Sequence, residues 1–235
     1  GFLIVGANSV ARAIAEALNT QGFHARLADS SWENISTARL EGFDTYYGNA
    51  VSEHADRHLD LIGLGQMLAL TPQNDLNALA CLRYRSEFGD KNVFILATGN
   101  EKNNGEAASR GAASRAQVMF GDGVTFAKLA SLLGQGATIR QTKLSESFDF
   151  DTYTQEYGRR AIPLFGISPK GNFACFVANQ KINPEPGWTI IALVQAEEKS
   201  VEQKQAAEGD KGTDGKAVAP SKDREWKDAP ARGSI

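Results

Sequence analysis

Gly6, Asn8 and Ala11 follow the apolar run Phe2-Leu3-Ile4-Val5, and Asp29 closes the next stretch of strand character. Backbone N–H groups at a helix start attract phosphate, and a carboxylate at a second strand's end accepts hydrogen bonds from ribose hydroxyls. The order strand, small-residue turn, Ala-rich helix, strand, acid therefore builds a nucleotide pocket. Set against the spacing G-x-G-x-x-G, Gly6 supplies the tight turn. Ala11 supplies the small side chain that close helix–strand packing needs. Asn8 stands where a glycine would let the backbone approach a pyrophosphate. Asn tolerates left-handed backbone better than most residues, so the turn is expected to survive. The exchange points to a mononucleotide or to a differently seated dinucleotide. An α/β turn that binds nothing is the alternative.

Each residue of this constellation has a functional and a plain structural role. Gly6, Ala7 and Asn8 form the turn, and Ser9 and Val10 offer backbone N–H groups to phosphate. Asp29 accepts from the 2′ and 3′ hydroxyls and repels a 2′-phosphate, which disfavours NADP; otherwise it caps the helix that begins at Trp32, a task Ser30 or Ser31 can share. Trp32 stacks on adenine or packs under the sheet. Arg12 pairs with phosphate or lies on a solvated helix face. Thr71 and Asn74 sit at the carboxyl end of the central strand beside the phosphates, or cap the helix that follows. His54 and His58, four apart with Asp56 and Asp60 nearby, would share a helix face as zinc ligands do. No third ligand has suitable spacing, and no metal is expected. No nucleophile–base motif is found, and Tyr153-Thr154-Gln155-Glu156-Tyr157 lacks the lysine of a Tyr-x-x-x-Lys reductase.

The elements that would position these groups alternate. Strands are expected over 2–5, 25–28, 44–47, 67–70, 93–97 and 117–120. Helices are expected over 9–21, 32–41, 60–64 and 75–88, with Val10, Ile14, Ala15 and Leu18 at helical spacing. Such alternation with short links means a doubly wound parallel sheet with helices on both faces, Rossmann-like. Its ligand belongs beyond the carboxyl ends of the strands, where strand order reverses. The polar stretch 98–114 reads as a surface loop, and a helix over 124–133 ends at Gly134-Gln135-Gly136. Strands over 137–144, 161–167, 172–177 and 189–194 then form a small α+β module, with a hairpin turn at Ser168-Pro169-Lys170-Gly171. Three regions result: 1–134, a nucleotide-binding domain; 137–195, the small module; and 196–235, a charged tail expected to be disordered.

The chain has 235 residues, enough for a sizeable core, and a net charge of −3 without clusters, so no nucleic acid partner is expected. Cys81 and Cys175 lie far apart without a partner motif and fit a reducing compartment. No apolar run approaches the roughly 20 residues of a membrane helix. The chain begins inside a strand, which suggests a piece of something longer.

Gly6, Asp29, Gly48-Asn49-Ala50 and Leu70-Thr71-Pro72-Gln73-Asn74-Asp75-Leu76-Asn77 together resemble the RCK, or TrkA N-terminal, domain over about residues 2–134. That family has an acid ending the second strand, a Gly-Asp-Ala-like turn after the third and a Thr-x-x-Asp-x-x-Asn-like segment after the fourth. Here Asn49 replaces the usual Asp, while Thr71, Asn74, Asp75 and Asn77 fit. Residues 137–195 are similar to the TrkA C-terminal module. Gly6-Ala7-Asn8 and Leu68-Ala69-Leu70-Thr71 look closest to versions fused behind NhaP-like cation:proton antiporters. The resemblance implies a cytosolic regulatory domain of a membrane Na+ or K+:proton antiporter, not an enzyme. It implies a location on the cytoplasmic side of the inner (plasma) membrane and a transmembrane antiporter domain N-terminal in the same chain. It further implies a homodimer whose arrangement is biased by AMP, ADP, ATP or NAD(H), with Asn49 and Ala50 at the adenine edge. An NAD-dependent oxidoreductase and a ligand-free dimerisation module are the alternatives.

Overall fold

The computed structural model describes residues 1–99 and 116–195. Most of the loop expected at 98–114 and the tail expected to be disordered from 196 lie outside the described residues. Gly1–Ala196 forms one compact unit.

Six strands make a parallel sheet: β1 (Phe2–Val5), β2 (Ala25–Asp29), β3 (Asp44–Tyr47), β4 (Gln66–Ala69), β5 (Val93–Ile95) and β6 (Gln117–Val118). Their spatial order is β3-β2-β1-β4-β5-β6, so the winding reverses between β1 and β4. Register is tight across that point, with Val5 beside Ala28 on one side and Ala69 on the other. β1 is apolar throughout and fully buried, as a strand covered on both faces must be.

The helices cover the sheet as their periodicity requires. α1 (Ser9–Thr20) buries Val10, Ala11, Ile14, Ala15, Ala17 and Leu18 on one face. α2 (Trp32–Leu40) buries Ile35 and Ala38. On the other face, α4 (Asn74–Phe88) packs Ala80, Cys81 and Tyr84 with Leu3, Val5, Met67 and Ile95. The short helix expected over 60–64 is instead α3, Glu53–His58. Ser52 caps it by accepting the Ala55 N–H at 3.2 Å. Gly63 sits at φ 77° and breaks any helix over 60–64.

A second, antiparallel sheet has the order β7-β10-β8-β9: β7 (Thr138–Lys143), β8 (Ala161–Ile167), β9 (Phe173–Cys175) and β10 (Thr189–Val194). α5 (Phe126–Gly134) leads into it and α6 (Phe150–Tyr157) crosses it. α6 was missed from sequence, although Asp149 caps it at 2.8 Å from the Thr152 N–H and Phe150, Tyr153 and Tyr157 mark one face. That same N–H bond holds the Asp149 carboxyl below its ordinary range. The two sheets share a core. Phe2 of β1 meets Phe173 of β9 at 4.8 Å between ring centres, and Phe173 meets Phe165 at 5.0 Å. Backbone bonds continue the seam: the Ala178 N–H donates to the Val118 carbonyl at 2.8 Å, and the Phe120 N–H to the Phe176 carbonyl at 2.5 Å.

Both cysteines are free and buried. Burial pushes the Cys81 thiol up to about 12 and raises that of Cys175 well above its ordinary value, so neither is a thiolate at neutral pH.

Candidate functional site

The turns after β1 and β4 come together at the reversal. Gly6 has φ 114°, and a Cβ there would stand 2.7 Å from the Leu70 carbonyl oxygen. Only glycine allows the two turns this proximity. Asn8 is not left-handed as its residue type allowed. It is extended, with φ −67°, and acts as the N-cap of α1. Its Oδ1 accepts the Ala11 N–H at 3.1 Å, and its Nδ2 donates to the Leu70 carbonyl at 2.7 Å. The side chain therefore spans the ground that a second glycine would leave open. The N–H groups of Ser9 and Val10, first in the helix, have no intrahelical acceptor and keep the positive end of α1 available to an anion.

Asp29 is at the end of β2 as expected, but it does not cap α2. Ser31 does that, accepting the Asn34 N–H at 3.3 Å. The Asp29 carboxylate is a hub. Oδ2 accepts from the Ala7 N–H at 2.8 Å and from Asn34 Nδ2 at 2.9 Å, and Oδ1 accepts from the Ser31 N–H at 2.8 Å. A carboxylate offers about four lone-pair sites, so these bonds leave room for one hydroxyl. A two-hydroxyl grip on ribose requires the Asn34 amide to swing aside. Asn34 was missed from sequence: it lies five residues past the acid, and only the fold turns its amide back onto the carboxylate.

Around this hub the other candidates divide. Ser30 is exposed beside Asp29. Trp32 does not pack under the sheet: it is 56% exposed, edge-on to the half-exposed Tyr47 at 5.3 Å, with the Arg39 guanidinium 5.5 Å from its ring centre. With the Arg39 guanidinium over the ring, a flat ligand would stack on the opposite face of the indole. Arg12 is not on a solvated face. It donates to the Ala7 carbonyl at 2.7 Å, and its Nε lies 2.9 Å from Glu41 Oε2, at ion-pair distance without hydrogen-bond alignment. Its charge is thus already paired and braces the turn from behind.

After β3, Asn49 accepts the Val51 N–H on Oδ1 at 3.0 Å, so its unspent group is the NH2 donor. Ala50 is buried, and its carbonyl accepts the Tyr84 hydroxyl at 2.5 Å. After β4, Thr71 is buried and locked to Asn77, whose Oδ1 accepts both the Thr71 N–H at 3.1 Å and its hydroxyl at 2.7 Å, while Nδ2 donates to the Thr71 carbonyl at 2.9 Å. Neither Thr71 nor Asn74 is the cap of α4. Gln73 holds that position without a side-chain bond, and Asn74 is exposed in the first turn. Asn77→Ala would take the partners from the buried Thr71 N–H and carbonyl, while the hydroxyl keeps the Gln73 carbonyl at 3.1 Å. The expected cost is about 2–4 kcal/mol in urea unfolding, and a loss under half a kcal/mol would show that this lock is idle.

His54 and His58 do share a helix face, stacked at 4.0 Å, with His54 Nδ1 at 2.8 Å from the Tyr46 hydroxyl. Among the described residues, no group of three His, Cys, Asp or Glu side chains is placed to hold a metal ion. Among the described residues, too, no helix is long and apolar enough to cross a membrane.

The TrkA-N domain family model matches residues 2–119. The chain is similar in structure to the NAD(P)-binding domain of an exopolyphosphatase-related protein from Archaeoglobus fulgidus, with 21% identity over 50% of this chain and 84% of that one, TM-score 0.41. It is also similar to the TrkA-N domain of the inner membrane protein ybaL from Escherichia coli, with 18% identity over 48% and 80%, TM-score 0.40. The GsuK channel bound to NAD matches at 16% identity over 88% of this chain and 38% of that one, TM-score 0.38. No curated protein matches.

Proposed function

This chain belongs to the TrkA-N domain family, and on that premise we propose that it is a regulatory domain whose crevice at the β1–β4 reversal takes an adenine nucleotide or NAD(H). The observation that carries this reading is the convergence at one point of the Gly6 turn, the free N–H groups opening α1 and the Asp29 carboxylate. Phosphate meets Ser9 and Val10, ribose meets Asp29, and adenine lies towards Trp32, Asn49 and Ala50. Asn8 occupies the floor and favours a single phosphate group over a pyrophosphate laid across the turn.

The domain acts by binding, not by chemistry. The antiparallel sheet supplies no histidine, and the buried thiols stay protonated. A nucleotide that prefers one arrangement of paired domains shifts that equilibrium by its differential affinity. We assign the pairing to a two-fold homodimer. The regulated element is a cation:proton antiporter domain in the same polypeptide, with this region on the cytoplasmic face of the inner membrane.

Thermal unfolding with AMP, ADP, ATP and NADH tests the reading. A ligand at a hundred times its Kd adds about 2.7 kcal/mol of stability, so at least one of the four is expected to raise Tm by several degrees. Light scattering on the same samples reads the pairing; a monomer with and without nucleotide argues against it. No shift with any of the four at millimolar concentration favours a ligand-free module, a reading supported by the crevice's own bonds from Asn34 to Asp29 and from Asn8 to Leu70. Oxidation of NADH by small carbonyls would instead favour an oxidoreductase.

A further inference from the structure

A second cavity lies at the opposite ends of the strands. It occupies about 430 Å³ where the amino ends of β4, β5 and β6 face β9 and the loop beyond it, a volume typical of small-molecule sites. Gln66 opens β4, Lys91 precedes β5 and Phe94 lies within β5; Phe173 and Lys181 line it from the antiparallel side.

Its chemistry is one-sided. Two lysines line it and no carboxylate does. Asp90, beside Lys91, is taken by Arg85 at 2.8 Å. The inner wall is aromatic, with Phe173 held edge-on against Phe2 at 4.8 Å. Gln66 lines it as well, with its Oε1 closed off from solvent. Two ammonium groups over an apolar wall attract an anion with an apolar body, and the low polarity of that wall strengthens the attraction.

We propose that this cleft binds a small organic carboxylate with an aromatic or branched body. The carboxylate meets Lys91 and Lys181, and the body lies against Phe94 and Phe173. Because the walls come from both sheets, the ligand stabilises their junction, independently of the nucleotide crevice.

The probe is 3-phenyllactate, titrated into the full chain by ligand-observed NMR, with neutral 3-phenyllactamide as the control. Saturable binding is expected with a Kd at or below about 1 mM. It should weaken about tenfold in Lys91→Gln/Lys181→Gln and weaken further as salt rises. It should survive in Asp29→Ala. Both lysines are exposed, so the double variant is expected to keep the wild-type urea midpoint, which checks its fold. Equal binding of the amide, undiminished binding by the double variant, or no saturation by wild type would overturn the proposal.

Discussion

Gly6→Ala is expected to be the most disruptive alanine substitution among the glycines of the described residues. The new Cβ would meet the Leu70 carbonyl oxygen at 2.7 Å and Asn8 Nδ2 at 3.2 Å, on a backbone at φ 114°. The carbonyl belongs to the neighbouring turn and cannot retreat without breaking the Leu70 N–H bond to Val5, at 2.9 Å, and the Asn8 bridge. Strain and overpacking together should cost about 3–5 kcal/mol in urea unfolding, and the variant should lose nucleotide-induced stabilisation. Gly22→Ala is the matched control. Gly22 also has positive φ, at 81°, but nothing lies within 4 Å of its added Cβ. It should cost only the conformational strain, about 1–2 kcal/mol. Equal losses at the two glycines would mean that the contact between the turns is not what Gly6 provides.

Asp29→Ala should give the largest effect on binding, at least about tenfold in Kd, or 1.4 kcal/mol. The structure adds a stability cost, because the carboxylate accepts three bonds that tie the turn after β1 to the start of α2. That cost should be about 2–4 kcal/mol, since hydrogen bonds to a charged, partly buried group exceed neutral ones. Asn34→Ala separates the two roles. It keeps the carboxylate and removes the side chain competing with ribose, so affinity should hold or improve. If Asn34→Ala and Asp29→Ala weaken binding equally, Asp29 acts by bracing the turn and not by touching the sugar.

The parallel sheet was legible because its strands carry their own signal. Buried runs such as 2–5, separated by helices with a clean apolar face such as α1, admit few other arrangements. Gly6 and Asp29 were legible for a related reason, since a turn needing positive φ and an acid closing a strand are fixed by local chain geometry. What escaped depends on side-chain direction. Nothing in the order of residues shows that Asn34 turns back onto Asp29, that Asn8 reaches across to Leu70, or that Asn77 locks Thr71. α6 escaped although its cap and aromatic stripe were present, because Tyr153 and its neighbours were weighed as a reductase motif rather than as a packed face. For Trp32 and Arg12 the plain structural alternative fell away, since the indole points outward and the guanidinium is paired inward. In each case tertiary partners decided the outcome.

A crystal structure of the chain grown with AMP tests the central claim most directly. The account predicts the phosphate at the N–H groups of Ser9 and Val10 and a ribose hydroxyl within hydrogen-bond distance of Asp29, with the Asn34 amide turned away. A crevice that stays closed by Asn34 and Asn8, with AMP absent or bound elsewhere, would contradict it.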